Sequence, residues 1–364
     1  MARVLVAAGA SGGHVYPGLA TAEVLRARGH TVEFVGGDRL ESRVVPDAGF
    51  AFHALPVRRP PSVRVELLTP RGLRAIASIG FAILRAGRLL KKVRPDVVLG
   101  MGGFASVPTA VAAGRRGVPL VLHEQNAHLS FAQRIPLRWA RILAVGLPIE
   151  ERVEHAHIEE VGNPVRASIT ALMSREVDRR AARERLGLDP DATTLLVNGG
   201  SLGSGPLNEA LPKVRLPDGT QVLHLAGAGR EDDVRAAWAA AGARAVVLGF
   251  LDAMQEAYAA ADAAVSRSGA ITVAELAIAG LPSVLVPLET LARGDQEANA
   301  RVLERAGAAR VVRQSDPAFG SRLSEEISEL LGDRATRERM AAAARSAARP
   351  DAAARLADTV ESVI

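Results

Sequence analysis

The chain contains no cysteine, which removes disulfides, thiolate zinc sites and cysteine nucleophiles together and suits a reducing compartment such as the cytoplasm. Only 3% of residues are aromatic, with two Trp and two Tyr, so the chain has no stacking platform for nucleobases and must build its core from Ala, Val, Leu and Ile. Lysine occurs only at Lys91, Lys92 and Lys213, and the net charge of +5 is carried by arginine spread along the sequence. No nucleic-acid partner is expected from that distribution. No window offers the roughly 18 uninterrupted apolar residues of a membrane-spanning helix, and the five apolar residues between Arg3 and Gly9 are too few for a signal-peptide core. A membrane, if the protein meets one, is met from outside the bilayer. Two phosphate-binding signatures are missing as well. The string "GASGGH" puts Ser11 and His14 where a dinucleotide fingerprint needs its second and third glycines, and no G-K-[ST] occurs.

What is present is a chain of 364 residues with 48% hydrophobic and 23% charged residues, long enough for two domains. Short apolar runs alternate with helical patterns: "VLVAA" from Val4, "TVEFVGG" from Thr31, "DVVLGMGG" from Asp96, "PLVLHEQN" from Pro119 and "ILAVG" from Ile142. Fully apolar strands bounded by Gly, Asp or Asn belong to a parallel sheet covered on both faces, so this half reads as a doubly wound α/β domain. The Pro-containing turn "GNPVR", Gly162 to Arg166, marks a boundary. The alternation then restarts with "TTLLVNGGS" from Thr193, "QVLHLAG" from Gln221, "AVVLGF" from Ala245, "AAVSRSG" from Ala263 and "PSVLVPL" from Pro282. Two such domains are expected to face one another across a cleft.

Several strand-to-helix joints carry chemistry. A Gly-rich loop before a helix exposes amide N–H groups at the positive end of the helix dipole and suits a diphosphate or a developing oxyanion. The first such loop spans Gly9 to His14, where a tight turn is the plain alternative. His14 falls at the C-terminal edge of the sheet, a place where such folds bind ligands, and an imidazole there either removes a proton near neutral pH or caps the loop. Gly102 and Gly103 in "GMGGFASVPTAVAA" repeat the arrangement, with Pro108 in the first helical turn. "HEQNA" sets His123, Glu124, Gln125 and Asn126 after a strand, a cluster that reads either as a polar-ligand site or as a buried network linking loops. In the second half, "SRSGAITVAELAIAG" gives another Ser/Gly loop and a largely apolar helix. Its Glu275 needs a partner, either the paired hydroxyls of a ribose or a neighbouring Arg. "RGDQEANA" supplies Asp295, Gln296 and Asn299 for sugar hydroxyls or for a surface helix start. "DPD" at Asp189 to Asp191 reads as a turn, and no metal site is assigned. The segment Arg71 to Asp96 mixes Leu73, Ile76, Ile79, Phe81, Ile83 and Leu84 with Arg71, Arg74, Arg85, Arg88, Lys91 and Lys92, a pattern for an anionic membrane surface or for an ordinary helix packed on the sheet.

In order and spacing, "GASGGHVYPGLA", "GMGGFASVPTAVAA", "HEQNA", "GNPVR", "NGGSLGS", "SRSGAITVAELAIAGLPSVLVP" and "DQEANA" resemble glycosyltransferase family 28, the MurG family, from Val4 to about Ala308. The resemblance implies a GT-B fold: an acceptor-binding, membrane-associating domain over 1–163, a UDP-N-acetylglucosamine domain over 164–341, and a terminal helix, about 342–364, packing back on the first. It implies inverting transfer of N-acetylglucosamine from UDP to the 4-hydroxyl of the muramyl sugar of lipid I at the inner face of the cytoplasmic membrane, giving lipid II. No cofactor or resident metal is implied, and cell-wall synthesis proteins are further partners. Matching positions put Ser11, Gly12, Gly13 and Asn126 near the donor sugar and diphosphate, and Arg166 and Ser201 near the nucleotide. Leu251 falls against uracil, Ala270, Ile271, Thr272, Val273, Ala274 and Glu275 around phosphate and ribose, and Gln296 near the sugar hydroxyls. His14 is the candidate base, and Gly102, Gly103, His123 and Glu124 are acceptor candidates. The chain departs from the family after "HEQNA", where Ser130 and Gln133 stand in place of the usual Gly and Asn, and in the form of "DQEANA". Within the same fold, a UDP-N-acetylglucosamine 2-epimerase and an idle sugar-nucleotide binding protein are the rival readings.

Overall fold

The computed structural model describes residues 1–9, 11–55, 57, 69–154, 157–174, 177–289 and 294–364. The chain forms two compact units, Met1–Arg166 with Asp351–Ile364, and Ala167–Pro350.

In the first unit the described strands are β1 (Arg3–Ala7), β2 (Thr31–Gly36), β3 (Ala51–Ala54), β4 (Val97–Gly100), β5 (Leu120–Glu124), β6 (Ile142–Val145) and β7 (Ile158–Glu160). They form one parallel sheet in the order β3-β2-β1-β4-β5-β6-β7. The apolar runs make the central strands because both faces are covered: Val4, Leu5, Val97, Val98, Leu120 and Leu122 are all fully buried. The chain winds outward from β1 to β3 and then returns to the other side of β1 as β4. The loops after β1 and β4 therefore part at the topological switch point, where open α/β sheets place their ligands. The helix Gly12–Ala27 covers one face through Val15, Leu19, Ala22 and Leu25, a spacing of three and four residues.

The second unit repeats the plan with β8 (Thr193–Asn198), β9 (Thr220–Leu225), β10 (Arg244–Leu248), β11 (Ala263–Ser266), β12 (Ser283–Leu285) and β13 (Ala309–Val311). Their order is β10-β9-β8-β11-β12-β13, again all parallel. Its switch point lies between β8 and β11, where Asn198 pairs with Ser266. Three strands absent from the sequence reading, β3, β7 and β13, all sit at sheet edges. β3 and β7 lack a fully apolar run because at most one face is covered, and their residues are at best half-buried.

The terminal helices divide between the units. Thr336, Met340 and Ala344 form the buried stripe of Arg334–Ala347, which stays with the second unit beside the Ala270–Ala279 helix. Residues 342–347 therefore do not join the first unit, a correction to the expected 342–364 segment. Only the helix Ala352–Glu361 does so: it lies along Gly12–Ala27 and buries Leu356, Ala357 and Val360 in that unit's core, with Val363 buried just past its end. Each large aliphatic side chain so buried contributes roughly 1.5–3 kcal/mol. Arg28, 2.7 Å from both Asp358 and Glu361, adds a partly exposed ion pair of lesser weight.

Candidate active site

At the first switch point Ser11 is extended (φ −152°, ψ 159°) and stands at the start of the Gly12–Ala27 helix without capping it. Its carbonyl accepts from the amides of His14 (3.1 Å) and Val15 (3.2 Å), while its hydroxyl lies 2.8 Å from His14 Nδ1. Helix geometry leaves the amides of Gly12 and Gly13 with no carbonyl in a preceding turn, so the positive end of a 16-residue helix is presented at the loop. His14 is half-buried. Burial pushes its imidazole down to about 4, against a weaker upward pull from Glu41. The ring is therefore neutral at pH 7 and able to accept a proton. Glu41, buried beneath the loop, accepts from the Gly37 amide at 2.9 Å. No motif around it announced that role; a lone Glu at a helix start is indistinguishable from a surface residue in sequence.

The β4 loop forms the wall beside His14. Gly102 and Gly103 adopt φ of +83° and +73°, which favours glycine, and the space they leave is used. A Cβ on Gly102 would fall 3.1 Å from His14 Cδ2 and 3.2 Å from Gln133 Nε2, and one on Gly103 would collide with the Gly9 carbonyl. The two switch-point loops thus touch through the absence of side chains, and His14, Gly102 and Gly103 come together as one group.

"HEQNA" resolves into two classes of residue. His123 is fully buried; its Nε2–H donates to the Gly162 carbonyl (3.0 Å) and its Nδ1 accepts from Gln125 Nε2 (3.0 Å). Burial holds it down to about 4. Glu124, also buried, accepts from the Asn126 amide (3.0 Å), Asn126 Nδ2 (2.9 Å) and the Ser130 amide (2.8 Å). The structure thus gives His123 and Glu124, two of the four acceptor candidates, internal partners of the kind a buried network requires. Gln125 and Gln133 complete it: Gln125 donates to the Met101 carbonyl (2.8 Å) and Gln133 to the His123 carbonyl (2.7 Å). Asn126 stays half-exposed with its side chain oriented by Glu124.

The second switch point has the same construction. Gly200 and Gly203 take φ of +84° and +70°, Asn198 Oδ1 accepts from the Gly200 amide at 2.9 Å, and Gly203 lies against the Ala226 carbonyl where no Cβ fits. Ser201 is exposed in this loop, and Leu251, after β10, is half-buried. Beyond β11, Gly269 leads into the helix Ala270–Ala279, which has no acidic residue in its first turn. Ala270, Val273 and Glu275 are buried, and Ile271, Thr272 and Ala274 are partly exposed. Glu275 accepts from the Tyr258 hydroxyl at 2.8 Å, a partner that no sequence pattern names. Buried Arg267 ties the neighbouring loops by donating to the carbonyls of Val286 and Pro287 (both 3.0 Å) and to Gln314 Oε1 (2.9 Å). Ser268 donates to the Gln296 carbonyl (2.7 Å), and Gln296 Oε1 accepts from the Leu288 amide (2.9 Å), which fixes the orientation of that amide group.

Among the described residues no group of three or more His, Asp or Glu is placed to hold a metal. "DPD" folds as a turn in which Asp189 Oδ1 accepts from the Asp191 amide at 2.9 Å, with Arg244 on Asp189 and Arg180 on Asp191.

Both units match family models: residues 4–145 the glycosyltransferase family 28 N-terminal domain, and residues 194–356 the family 28 C-terminal domain. The chain belongs to glycosyltransferase family 28. Its family 28 relatives include a UDP-N-acetylglucosamine–N-acetylmuramyl-(pentapeptide) pyrophosphoryl-undecaprenol N-acetylglucosamine transferase of Halorhodospira halophila, 43% identical over 99% of this chain and 98% of that one. The same enzyme of Aeromonas hydrophila is 40% identical over 98% and 95% of the two chains. The crystal structure of Acinetobacter baumannii MurG superposes with a TM-score of 0.77 at 29% identity, covering 99% of each chain. With two parallel-sheet units of seven and six described strands, this family 28 member has the GT-B architecture.

Proposed function

We propose that this family 28 chain is a hexosyltransferase that moves N-acetylglucosamine from UDP-N-acetylglucosamine to the 4-hydroxyl of the muramyl sugar of undecaprenyl-pyrophosphoryl-MurNAc-pentapeptide, lipid I, with inversion, yielding lipid II and UDP. The observation that carries the reading is the identity of 43%, sustained over both units and nearly the full length of a relative bearing that name. The geometry supports it. In the first unit a neutral imidazole stands beside two glycine loops and a helix N-terminus. When His14 Nδ1–H donates to the Ser11 hydroxyl, Nε2 keeps its lone pair and takes the proton of the acceptor hydroxyl as that oxygen attacks the anomeric carbon. The departing diphosphate is stabilised by main-chain amides, with Ser11, Gly12, Gly13, Asn126 and Arg166 of the first unit and Ser201 and the Ala270–Glu275 helix start of the second assigned to the donor. Leu251 is assigned to the uracil and Gln296 to the sugar hydroxyls. Gly102 and Gly103 are assigned to the acceptor side, where only glycine leaves room beside His14.

The lipid acceptor asks for a membrane surface, and the helix Pro70–Val93 supports one. Phe81 and Leu84 are 58% and 64% exposed; with exposed Arg85, Arg88 and Lys92 they lie at i, i+3, i+4, i+7 and i+11, one stripe of the helix. Ala82, Ala86, Leu90 and Val93 form the buried stripe toward the sheet. Arg71, Leu73, Arg74 and Ile76 lie outside the described side chains. No described helix is long and apolar enough to cross a membrane, so the proposed association is peripheral, at the cytoplasmic leaflet, through apolar insertion and attraction to anionic lipid.

Incubating the protein with lipid I and labelled UDP-N-acetylglucosamine tests the reading: lipid II and UDP are expected in equal amounts. Steady conversion of UDP-N-acetylglucosamine to its manno epimer without lipid I would establish the epimerase instead, and tight nucleotide binding with no turnover of either kind would leave a binding protein.

A further inference from the structure

We infer that Trp238, His224 and Asn208 form a polarised chain of hydrogen bonds that positions the Gly199–Ser204 loop of the second unit for the donor diphosphate. His224 is an imidazole in the middle of an apolar strand: it stands between Leu223 and Leu225 of β9 and pairs with Val197 of β8 and Val247 of β10. It is fully buried. A ring so placed costs stability unless both nitrogens find partners, and both do. Trp238, buried on the helix Glu231–Ala240, has an indole N–H that can only donate. It donates to His224 Nδ1 at 3.0 Å, which puts the ring's one proton on Nε2. Burial, which holds the imidazole down to about 4, keeps that ring neutral at pH 7. Nε2–H then requires an acceptor, so Asn208 on the helix Gly205–Ala210 presents its Oδ1 at 3.0 Å. The amide has one orientation left, with Nδ2 donating to the Ala226 carbonyl at 3.0 Å.

That carbonyl lies where the loops after β8 and β9 cross. A Cβ on Gly203 would collide with the Ala226 carbonyl, and one on Gly227 would lie 2.7 Å from the Leu202 oxygen, so the crossing is built from bare backbone. The Ala226 amide is fixed separately, donating to the Leu248 carbonyl at 2.8 Å. Asn208 ties the two loops together: its main-chain amide donates to the Ser204 carbonyl at 2.9 Å while its Nδ2 holds Ala226. A leucine or valine in place of His224 would also be buried, but it would leave the Asn208 amide free to turn its oxygen toward the Ala226 carbonyl. Two acceptors would then face each other at the crossing. The loop held in this way carries Ser201, which the proposed function assigns to the donor; the inference rests on that assignment, and the test separates the two.

The experiment uses the full chain and measures UDP affinity by calorimetry, KM for UDP-N-acetylglucosamine and for lipid I, and the nitrogen-15 spectrum of His224. In the wild type the ring is expected to show Nε2 protonated and Nδ1 bare, a result that needs no variant; the opposite tautomer would overturn the chain. Trp238→Phe removes the donor that fixes the tautomer. It is expected to give a mixture of the two tautomers and to weaken UDP binding about 3- to 10-fold, the effect of one hydrogen bond. Asn208→Asp still accepts from His224 but has nothing to donate to Ala226, and is expected to weaken UDP binding about 10-fold or more; Asn208→Ser takes its place if that variant does not fold. In each, KM for UDP-N-acetylglucosamine should rise with the loss of UDP affinity while KM for lipid I stays at its wild-type value. With Asn208→Asp present, Trp238→Phe should weaken UDP binding no further, because the last link is already gone. Multiplied losses in the double variant, both KM values rising alike, or unchanged UDP affinity in Asn208→Asp would overturn the positioning role. Gly203→Ala tests the assignment of the loop, since its Cβ displaces the crossing directly. Weaker UDP binding with the wild-type His224 tautomer is expected. Unchanged UDP affinity in that variant would take the loop away from the nucleotide and the inference with it, whereas the transferase reading would still be decided by lipid II formation in the wild type.

Discussion

Replacing Gly102 by alanine probes whether the two switch-point loops of the first unit must touch. The substitution has two separable effects. At φ +83° an alanine is strained, a cost of about 1–2 kcal/mol in stability. Its Cβ would also lie 3.1 Å from His14 Cδ2 and 3.2 Å from Gln133 Nε2, where unstrained carbon contacts need about 3.5–4.0 Å. Gln133 is buried and holds the His123 carbonyl, so the half-buried His14 is the group that gives, by about half an ångström. A misplacement of about 1 Å at a reacting group can cost 10²-fold, so half of that predicts a fall in kcat of about 3- to 30-fold with little change in UDP affinity. Gly117→Ala is the control: its φ is +70° and no atom lies within 4 Å of its would-be Cβ, so it carries the backbone strain without the collision. Thermal unfolding and lipid II formation would be measured on both variants. The expectation is a similar loss of stability and a loss of kcat confined to Gly102→Ala. Equal kcat in the two variants would refute the argument that contact at Gly102 sets the position of His14.

His14→Gln should lower kcat by about 10²–10⁴-fold while UDP affinity, read by calorimetry, stays within a few-fold; an unchanged rate would remove His14 as the base. Because His14 is held down to about 4, the wild-type kcat/KM should be level from about pH 8 to 5.5 and fall only as pH approaches 4 and the base is protonated; an acid limb near 6.5 would contradict this. His224 gives a stability prediction of its own. It is fully buried, accepts from Trp238 Nε1 (3.0 Å), donates to Asn208 Oδ1 (3.0 Å), and is lowered from 6.5 to about 4 by burial. The unfolded chain takes up a proton there below about 6.5 and the folded chain does not until about 4, so the second unit should lose about 3 kcal/mol across that interval. Urea unfolding followed by Trp238 fluorescence in Trp139→Phe should show that loss, and the same scan with His224→Gln should lack it. Changing Arg85, Arg88, Lys91 and Lys92 to Gln should weaken binding to anionic vesicles in low salt, with little effect on neutral ones; co-sedimentation indifferent to both the changes and salt would dispose of the proposed membrane face.

The fold was legible where burial is two-sided. A strand covered on both faces must be apolar at nearly every position, as in "VLVA" of β1 or "LVL" of β5, and such runs stand out against any helix. β3 and β7 did not, because "AFHA" and "IEE" at a sheet edge meet no such demand. The terminal helices were harder for a different reason. Arg334–Ala347 and Ala352–Glu361 are both Ala/Arg-rich amphipathic segments, and nothing in their periodicity says which unit each will cover. The choice is made by tertiary partners such as Arg28 and His30, which meet Asp358 and Glu361 only in the folded first unit.

The site divides along a similar line. Glycines that admit a ligand or another loop are visible in sequence, since few other needs place two of them between a strand and a helix; Gly102 and Gly103 are of this kind. Polar side chains are ambiguous, because a buried carboxylate or imidazole must find partners whether or not a substrate ever arrives. "HEQNA" reads in sequence as four equivalent candidates. In the folded unit His123 and Glu124 satisfy themselves on Gly162, Asn126 and Ser130, and by doing so they hold still the loops that carry Asn126 and lead to Arg166. A placement effect on the proposed reaction predicts a particular kinetic signature. His123→Asn and Glu124→Gln should disturb several donor and acceptor contacts together and raise both substrate KM values while lowering stability. His14→Gln should act on kcat alone. A His123→Asn variant of wild-type stability that lost only acceptor affinity would return His123 to the surface of the substrate.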